Sequence, residues 1–282
     1  MRITQLPQLP PRPADGHKGL FGRVLVIGGN DTMLGAPVLA GTAALRMGSG
    51  LVQIAVPQAM LPAALAVTPE LIGLARGAVI KPILDAAAMA DAVVIGPGLG
   101  QSSAAKKLLI AVVKQDHATV IDADGLNLLA AGKSWPKGIG HNAVLTPHPG
   151  EMKRLAKLIG VKDVPSDDDG RMKLASLAAK SFKQIVVLKG NRTVVSDGQR
   201  VYVNRTGNSS LSKAGTGDVL SGVIGSLIGQ GMDRFDAAVA GVWIHGKAGE
   251  LAGESLGLRS VLATDVIRTL PTAIAEYERV AG

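Results

Sequence analysis

The sequence predicts an α/β fold, with a mainly parallel central sheet and helices on both faces. Three observations carry that expectation. Short apolar runs ending in glycine alternate with helical stretches along most of the chain, the order that βαβ units impose. Hydrophobic residues make up 47% of the 282 and charged residues 18%, enough apolar surface for a sizeable buried core. No low-complexity linker and no repeat of solenoid period divides the chain, so residues 1–282 read as one domain with a proline-rich leader at 1–18.

The elements follow in order. RVLVIGG (23–29) reads as a buried strand leaving into a loop. APVLAGTAALRMG (36–48) has helical composition and ends in glycine, and LVQIAVP (51–57) is the next strand. DAVVIGPGLG (91–100) is strand then glycine loop, and SAAKKLLIAVVKQ (103–115) is helix. ATVIDADGLNLLA (118–130) runs strand, turn, helix, and NAVLTPHPGEMKRLAKLIG (142–160) repeats that plan with Pro147 and Pro149 at the turn. SDDDG (166–170) is a solvated loop or a helix start, SLAAKSF (176–182) is helical and QIVVLKG (184–190) is a strand. TVVSDGQRVYVN (193–204) reads as a hairpin turning at Asp197-Gly198. The last third is mainly helical, over 210–229, 235–253 and 265–280.

Composition excludes several classes of function. Without cysteine there is no disulfide or thiolate chemistry. The N-terminus lacks an apolar signal core, and Gly, Ser, Pro or charge interrupts every apolar run short of membrane-spanning length. A cytoplasmic protein without membrane contact is therefore expected. The net charge is +8, but the basic residues are scattered and aromatics amount to 2%, so a nucleic-acid footprint is missing. A diffuse positive field suits small anionic substrates.

In parallel α/β sheets ligands bind beyond the carboxyl ends of the strands, and six glycine-rich or polar stretches fall there: GGNDTMLGA, GPGLG, DADGLN, TPHPGE, KGNRT and SLSKAGTGD. GPGLG lacks the last spacing of a dinucleotide fingerprint, and GNSSLSKAG does not have P-loop spacing. A helix N-terminus is the remaining anion site, with the amides of Gly215, Thr216 and Gly217 expected to be unpaired and open to a phosphate. Asp218 then has two readings, a helix-stabilising carboxylate or a base that takes a proton from an attacking hydroxyl. TPHPGE has the same ambiguity: His148 and Glu151 cap a helix, or His148 faces a ligand while Glu151 sits near a hydrated Mg²⁺. Asp122 and Asp124 are a polar strand end and a cap, or ligands to metal or substrate. Lys189 faces a phosphate or solvent. His245, in an apolar helix, reads as a satisfied core residue.

Taken together and in order, GGN…GAP, GPGLG, DADGLN, TPHPGE, LKGNRT and GNSSLSKAGTGDVLSG resemble the bacterial ADP-dependent NAD(P)H-hydrate dehydratases of the ribokinase-like superfamily. The resemblance runs from about His17 to Gly253. It implies a ribokinase-like fold without the epimerase domain that some members carry in front. It also implies a lyase that repairs the S epimer of hydrated NADH or NADPH, using ADP and Mg²⁺ and giving NAD(P)H, AMP and phosphate. Carried over by position, Asp218 would be the base and Gly215 to Gly217 the anion hole. Lys189, Gly190, Asn191, Arg192, Thr193 and Gly217 would bind the nucleotide, Ala36, Gly100, His148 and Asp218 the hydrate, and Glu151 the Mg²⁺ through water. A homo-oligomer, in the form of a tetramer, is implied too. The sequence departs from the family pattern at Ser209, Leu211 and Lys213. A small-molecule alcohol kinase of the same superfamily would use the same residues, and a regulatory nucleotide-binding module would need no Asp218.

Overall fold

Apolar side chains point to both faces of the central strands, so those strands need cover on both sides. In the computed structural model, which describes residues 1–282, ten strands form one sheet. They are β1 (Arg2–Ile3), β2 (Arg23–Ile27), β3 (Leu51–Pro57), β4 (Ile72–Arg76), β5 (Ala92–Ile95), β6 (Thr119–Ile121), β7 (Ala143–Leu145), β8 (Ile185–Leu188), β9 (Val194–Ser196) and β10 (Val201–Val203). Their order is β1-β10-β9-β8-β7-β6-β5-β2-β3-β4. All neighbours run parallel except β9, which is antiparallel to both β8 and β10.

The helices are α1 (Gly35–Arg46), α2 (Leu61–Val67), α3 (Lys81–Ala88), α4 (Ser103–Val113), α5 (Asp124–Ala130), α6 (Pro149–Ala156), α7 (Asp168–Phe182), α8 (Thr216–Gly229), α9 (Arg234–Leu256) and α10 (Ala263–Ala281). The pleat sorts each strand between two cores. Val24, Val26, Val94, Val120, Val144 and Val187 pack with α1, α8, α9 and α10. Leu25, Ile27, Val93, Ile95, Ile121 and Leu145 pack with α3 to α7 on the other face. Each such side chain contributes about 1.5–3 kcal/mol by leaving water.

Helix α8 is apolar nearly all round because it is buried nearly all round. It fits because Gly222 brings its backbone against α1; a Cβ there would lie 2.0 Å from the Ala40 carbonyl oxygen. This depth leaves only the first turn of α8 in reach of solvent.

The structure differs from the sequence reading in two places. The stretch expected to be a leader is tied into the fold: β1 pairs with β10, Arg12 donates to the Gly48 carbonyl (2.8 Å) and the Tyr277 hydroxyl to that of Pro7 (2.6 Å). β4, α2 and α3 were not anticipated, because β4 is an edge strand with Ile72 exposed and both helices are short. Of the two readings of the acidic run, the structure has the helix start, Asp167 accepting from the Gly170 amide at 2.8 Å. No helix is long and apolar enough to cross a membrane.

Candidate active site

Where β5 and β6 pass into their loops, the backbone crowds. Gly96 has φ +124°, and a Cβ on it would meet the Asp122 carbonyl oxygen at 1.9 Å. The glycine loop is then fixed by Asp124, which accepts from the Gly100 amide (2.8 Å) and from Gln101 (3.3 Å). A Cβ on Gly98 would lie 3.3 Å from that of Ala36. Ala36 and Gly100 therefore belong to one patch, formed by the start of α1 and the loop after β5.

The first turn of α8 carries the next group. Its N-cap is Gly215 at φ +90°, with no side-chain cap. The amides of Gly215, Gly217 and Asp218 have no protein acceptor, whereas that of Thr216 reaches the Lys213 carbonyl at 3.4 Å. Of the three amides expected to be open, that of Thr216 is engaged, and that of Asp218 is open instead. The physical reason is that Thr216 is held inward. Its hydroxyl donates toward the carbonyls of Leu211 (2.8 Å) and Lys213 (2.9 Å). Its own carbonyl lies 2.8 Å from His245 Nε2. His245 is buried and pushed down to about 4 by that burial, so it is neutral and donates. Thr216 and His245 hold the turn that presents the free amides.

Beside those amides lies a charge cluster. Lys189, at the end of β8, donates to Asp122 Oδ1 (2.7 Å), and Ser221, one turn into α8, donates to Oδ2 (2.6 Å). A Cβ on Gly217 would lie 3.1 Å from Lys189 Nζ, so the ammonium touches the α8 start. Burial alone would lower the Lys189 pKa, but Asp122, Glu151 and Asp218 outweigh it and raise it. Asp218 is raised to about 7 by burial first, then by Asp122, Glu151 and Asp124, against Lys189. Glu151 is also raised to about 7, chiefly by burial.

His148 and Glu151 form a capping box at the start of α6. The His148 amide donates to Glu151 Oε2 (2.8 Å), and His148 Nδ1 accepts from Gly150 (3.0 Å) and Glu151 (3.4 Å). Nδ1 is thus the unprotonated nitrogen, and burial with Lys189 nearby lowers the ring's pKa. The box engages Glu151 Oε2, Oε1 lies 3.4 Å from His148 Nε2, and the His148 ring stays half exposed.

A cavity of about 670 Å³ opens beside both helix starts. Lys189, Gly190, Asn191, Arg192, Thr193, Gly217 and His148 line it, and so do Ser209, Leu211 and Lys213. The departures from the family pattern therefore fall on its wall. Ala36 and Gly100 do not line this cavity. Arg192 turns to Asp168 in an ion pair, so its guanidinium is partly engaged outside.

Asp122, Ser221, Arg171 and His245 carry more of the site than the sequence reading gave them. Arg171 is almost fully buried and holds the loop after β8 by its backbone, donating to the carbonyls of Asn191 (2.5 Å), Leu188 (3.1 Å) and Lys189 (3.2 Å). Nothing local in GRMK marks it. For Ser221 the available signal was its position four residues after Gly217, one turn along the same helix.

No group of three or more His, Asp or Glu side chains converges as a metal cage. Both Asp122 oxygens are engaged. The donors that remain fit a hard cation that keeps most of its waters and is held mainly by substrate phosphates, with Glu151 as the acid.

Comparison with known proteins gives a consistent result. The family described as NAD(P)H-hydrate dehydratase matches residues 24–272. An ADP-dependent (S)-NAD(P)H-hydrate dehydratase of Neisseria meningitidis is 40% identical over 89% of this chain and 84% of its own. A bifunctional NAD(P)H-hydrate repair enzyme of Moorella thermoacetica is 40% identical over 96% of this chain and 52% of its own. The chain thus spans about half the length of the bifunctional relatives. A crystal structure of the ADP/ATP-dependent NAD(P)H-hydrate dehydratase of Bacillus subtilis, co-crystallised with ATP and Mg²⁺, superimposes with a TM-score of 0.82 at 31% identity, covering 98% of this chain and all of that one.

Proposed function

Because this chain belongs to the NAD(P)H-hydrate dehydratase family, we propose that it dehydrates the S epimer of hydrated NADH or NADPH at the expense of ADP, as a lyase. The observation that carries the reading is the uncapped start of α8. Free amides, the Lys189 ammonium and a carboxylate raised to about 7 meet there, and Lys189 and Gly217 among them line a large cavity.

Hydroxide is a poor leaving group, so the ring hydroxyl must first be converted into a phosphate ester. Asp218 takes the hydroxyl proton as the oxygen attacks the β-phosphorus of ADP, and AMP leaves. A pKa near 7 suits that task, because a base works best with its pKa near ambient pH. The free amides of Gly215, Gly217 and Asp218, with Lys189, hold the negative charge that spreads over the transferring group. Asp122 keeps Lys189 aimed at it. Phosphate then departs as the C–O bond breaks and a proton leaves the neighbouring ring carbon, restoring NAD(P)H.

The segment Lys189 to Thr193 with Gly217 holds the nucleotide, and Ala36, Gly100 and His148 hold the hydrate alongside Asp218. His148 presents Nε2–H, a donor, to its ligand. Glu151 would hold Mg²⁺ through water, together with the nucleotide phosphates, and the cation would supply charge neutralisation there.

The reading is tested by incubating the protein with hydrated NADH, Mg²⁺ and either ADP or ATP, and following the return of reduced-nicotinamide absorbance. Recovery is expected, and absence of recovery with both nucleotides overturns it.

A further inference from the structure

A second cavity, of about 580 Å³, lies on the α5 and α6 side of the sheet. Lys133, Arg154 and Lys157 line it with Gln101 and Asn127, and no carboxylate does. None of the three cations is ion-paired. Arg154 Nε donates to Asn127 Oδ1 at 2.9 Å, which fixes the guanidinium and leaves its two amino groups without a protein acceptor. Cations favour helix C-termini, and that accounts for Arg154 and Lys157 one at a time. It does not account for their meeting Lys133, beyond the end of α5, around open volume.

One wall of the cleft, at Gln101, adjoins a hydrate position in sequence. Gln101 follows Gly100, and both bind Asp124, the first residue of α5. Arg154 lies six residues after His148 on the axis of α6, about 9 Å at 1.5 Å per residue. A dinucleotide with its hydrated ring at Asp218 must run out of the site, and the first cavity already takes the second nucleotide. Beyond Gly100 the chain passes at once to Gln101, on the wall of the cleft that holds the three unpaired cations.

We propose that this cleft binds the phosphate end of the hydrated dinucleotide, its diphosphate or, in the NADPH form, its 2′-phosphate. The proposal rests on the dehydratase reading for the identity of the ligand. Its charge chemistry stands on the cleft itself.

The test uses Lys133→Gln/Lys157→Gln as a double variant and Arg154→Gln singly, with KM measured for hydrated NADH, hydrated NADPH and ADP. All three side chains are exposed, so the variants are expected to fold with unchanged melting temperature. The double variant is expected to raise the hydrate KM at least about fivefold, as two solvent-facing ion pairs are lost. It is also expected to flatten the rise of that KM with salt. A rise for both hydrates assigns the cleft to the diphosphate, and a rise for hydrated NADPH alone assigns it to the 2′-phosphate. Unchanged hydrate KM values, or a rise confined to ADP, overturn the proposal. Should the wild type turn over neither hydrate, the dehydratase reading fails. Calorimetric titration of NADPH, with AMP saturating the first cavity, then decides the cleft. Weaker binding by the double variant supports it, and equal binding overturns it.

Discussion

Helices α6 and α8 both start at the carboxyl edge of the sheet with an acid three residues after the N-cap, and the two acids meet opposite fates. In α6 the cap is His148, which supplies an acceptor, and Glu151 folds back onto the His148 amide to close a capping box. In α8 the cap is Gly215 at φ +90°, which has no side chain to offer. Asp218 does not fold back onto the free Gly215 amide, and the amides of Gly215, Gly217 and Asp218 stay open. Burial drives both carboxyls to about 7. The two starts thus differ both in the acceptor at the cap and in the closure of the acid. In α10 Asp265 accepts from the Leu262 amide at 2.9 Å, which shows that an acid can close on a cap residue without an acceptor.

The largest effect expected from breaking this contrast is Asp218→Asn. Its turnover is expected to fall at least about 100-fold, the usual contribution of a general base, with the KM for ADP little changed. Stability is expected to move the other way. The folded state keeps the Asp218 proton up to about 7, while the unfolded chain loses it near 3.8. Between those values the folded chain binds more protons, so rising pH removes stability from the wild type. Melting scans at pH 5 and pH 8 are expected to show the variant gaining on the wild type at the higher pH.

Lys189→Met comes next. It strands Asp122 in the interior with only Ser221 as donor, and denaturant unfolding is expected to show a loss of about 3 kcal/mol. A tenfold or greater rise in the KM for ADP, again about the worth of one charged phosphate contact, is expected alongside.

The smallest effect belongs to α6. His148→Ala removes the acceptor for two amides, and unfolding is expected to show a loss of about 1 kcal/mol, the usual worth of a cap. By the same measurement Asp218→Asn costs α8 nothing, since it has no side-chain cap to lose.

Much of this was legible from residue order. Alternating apolar runs placed the central strands, because a strand buried on both faces has to be apolar throughout. Glycines at strand ends marked where backbones approach closely, as at Gly96. The GTGD turn was legible as a helix start with open amides because glycine brings no side chain to accept from them, while the choice between capping and catalysis for Asp218 stayed open. What escaped depends on chain returning from far away. Asp122 meets Ser221 from 99 residues off, and Arg171 reaches carbonyls 17 to 20 residues on. The Thr216 amide was assigned to the ligand because the inward pull of Leu211, Lys213 and His245 is a tertiary fact. Edge elements such as β1 and β4 lack the two-sided apolar pattern that identified the others.

The most direct test of the open helix start is the pH dependence of kcat/KM for hydrated NADH, measured from pH 5.5 to 8.5 with saturating ADP in the wild type and in Asp218→Asn. A base must be ionised to act, so wild-type activity is expected to rise with unit slope and level off above about 7. The variant is expected to be at least about 100-fold slower and to lose that inflection. A variant that keeps the wild-type rate, or keeps the same inflection near 7, would contradict the assignment of Asp218 and point to Glu151, the other carboxyl raised into that range.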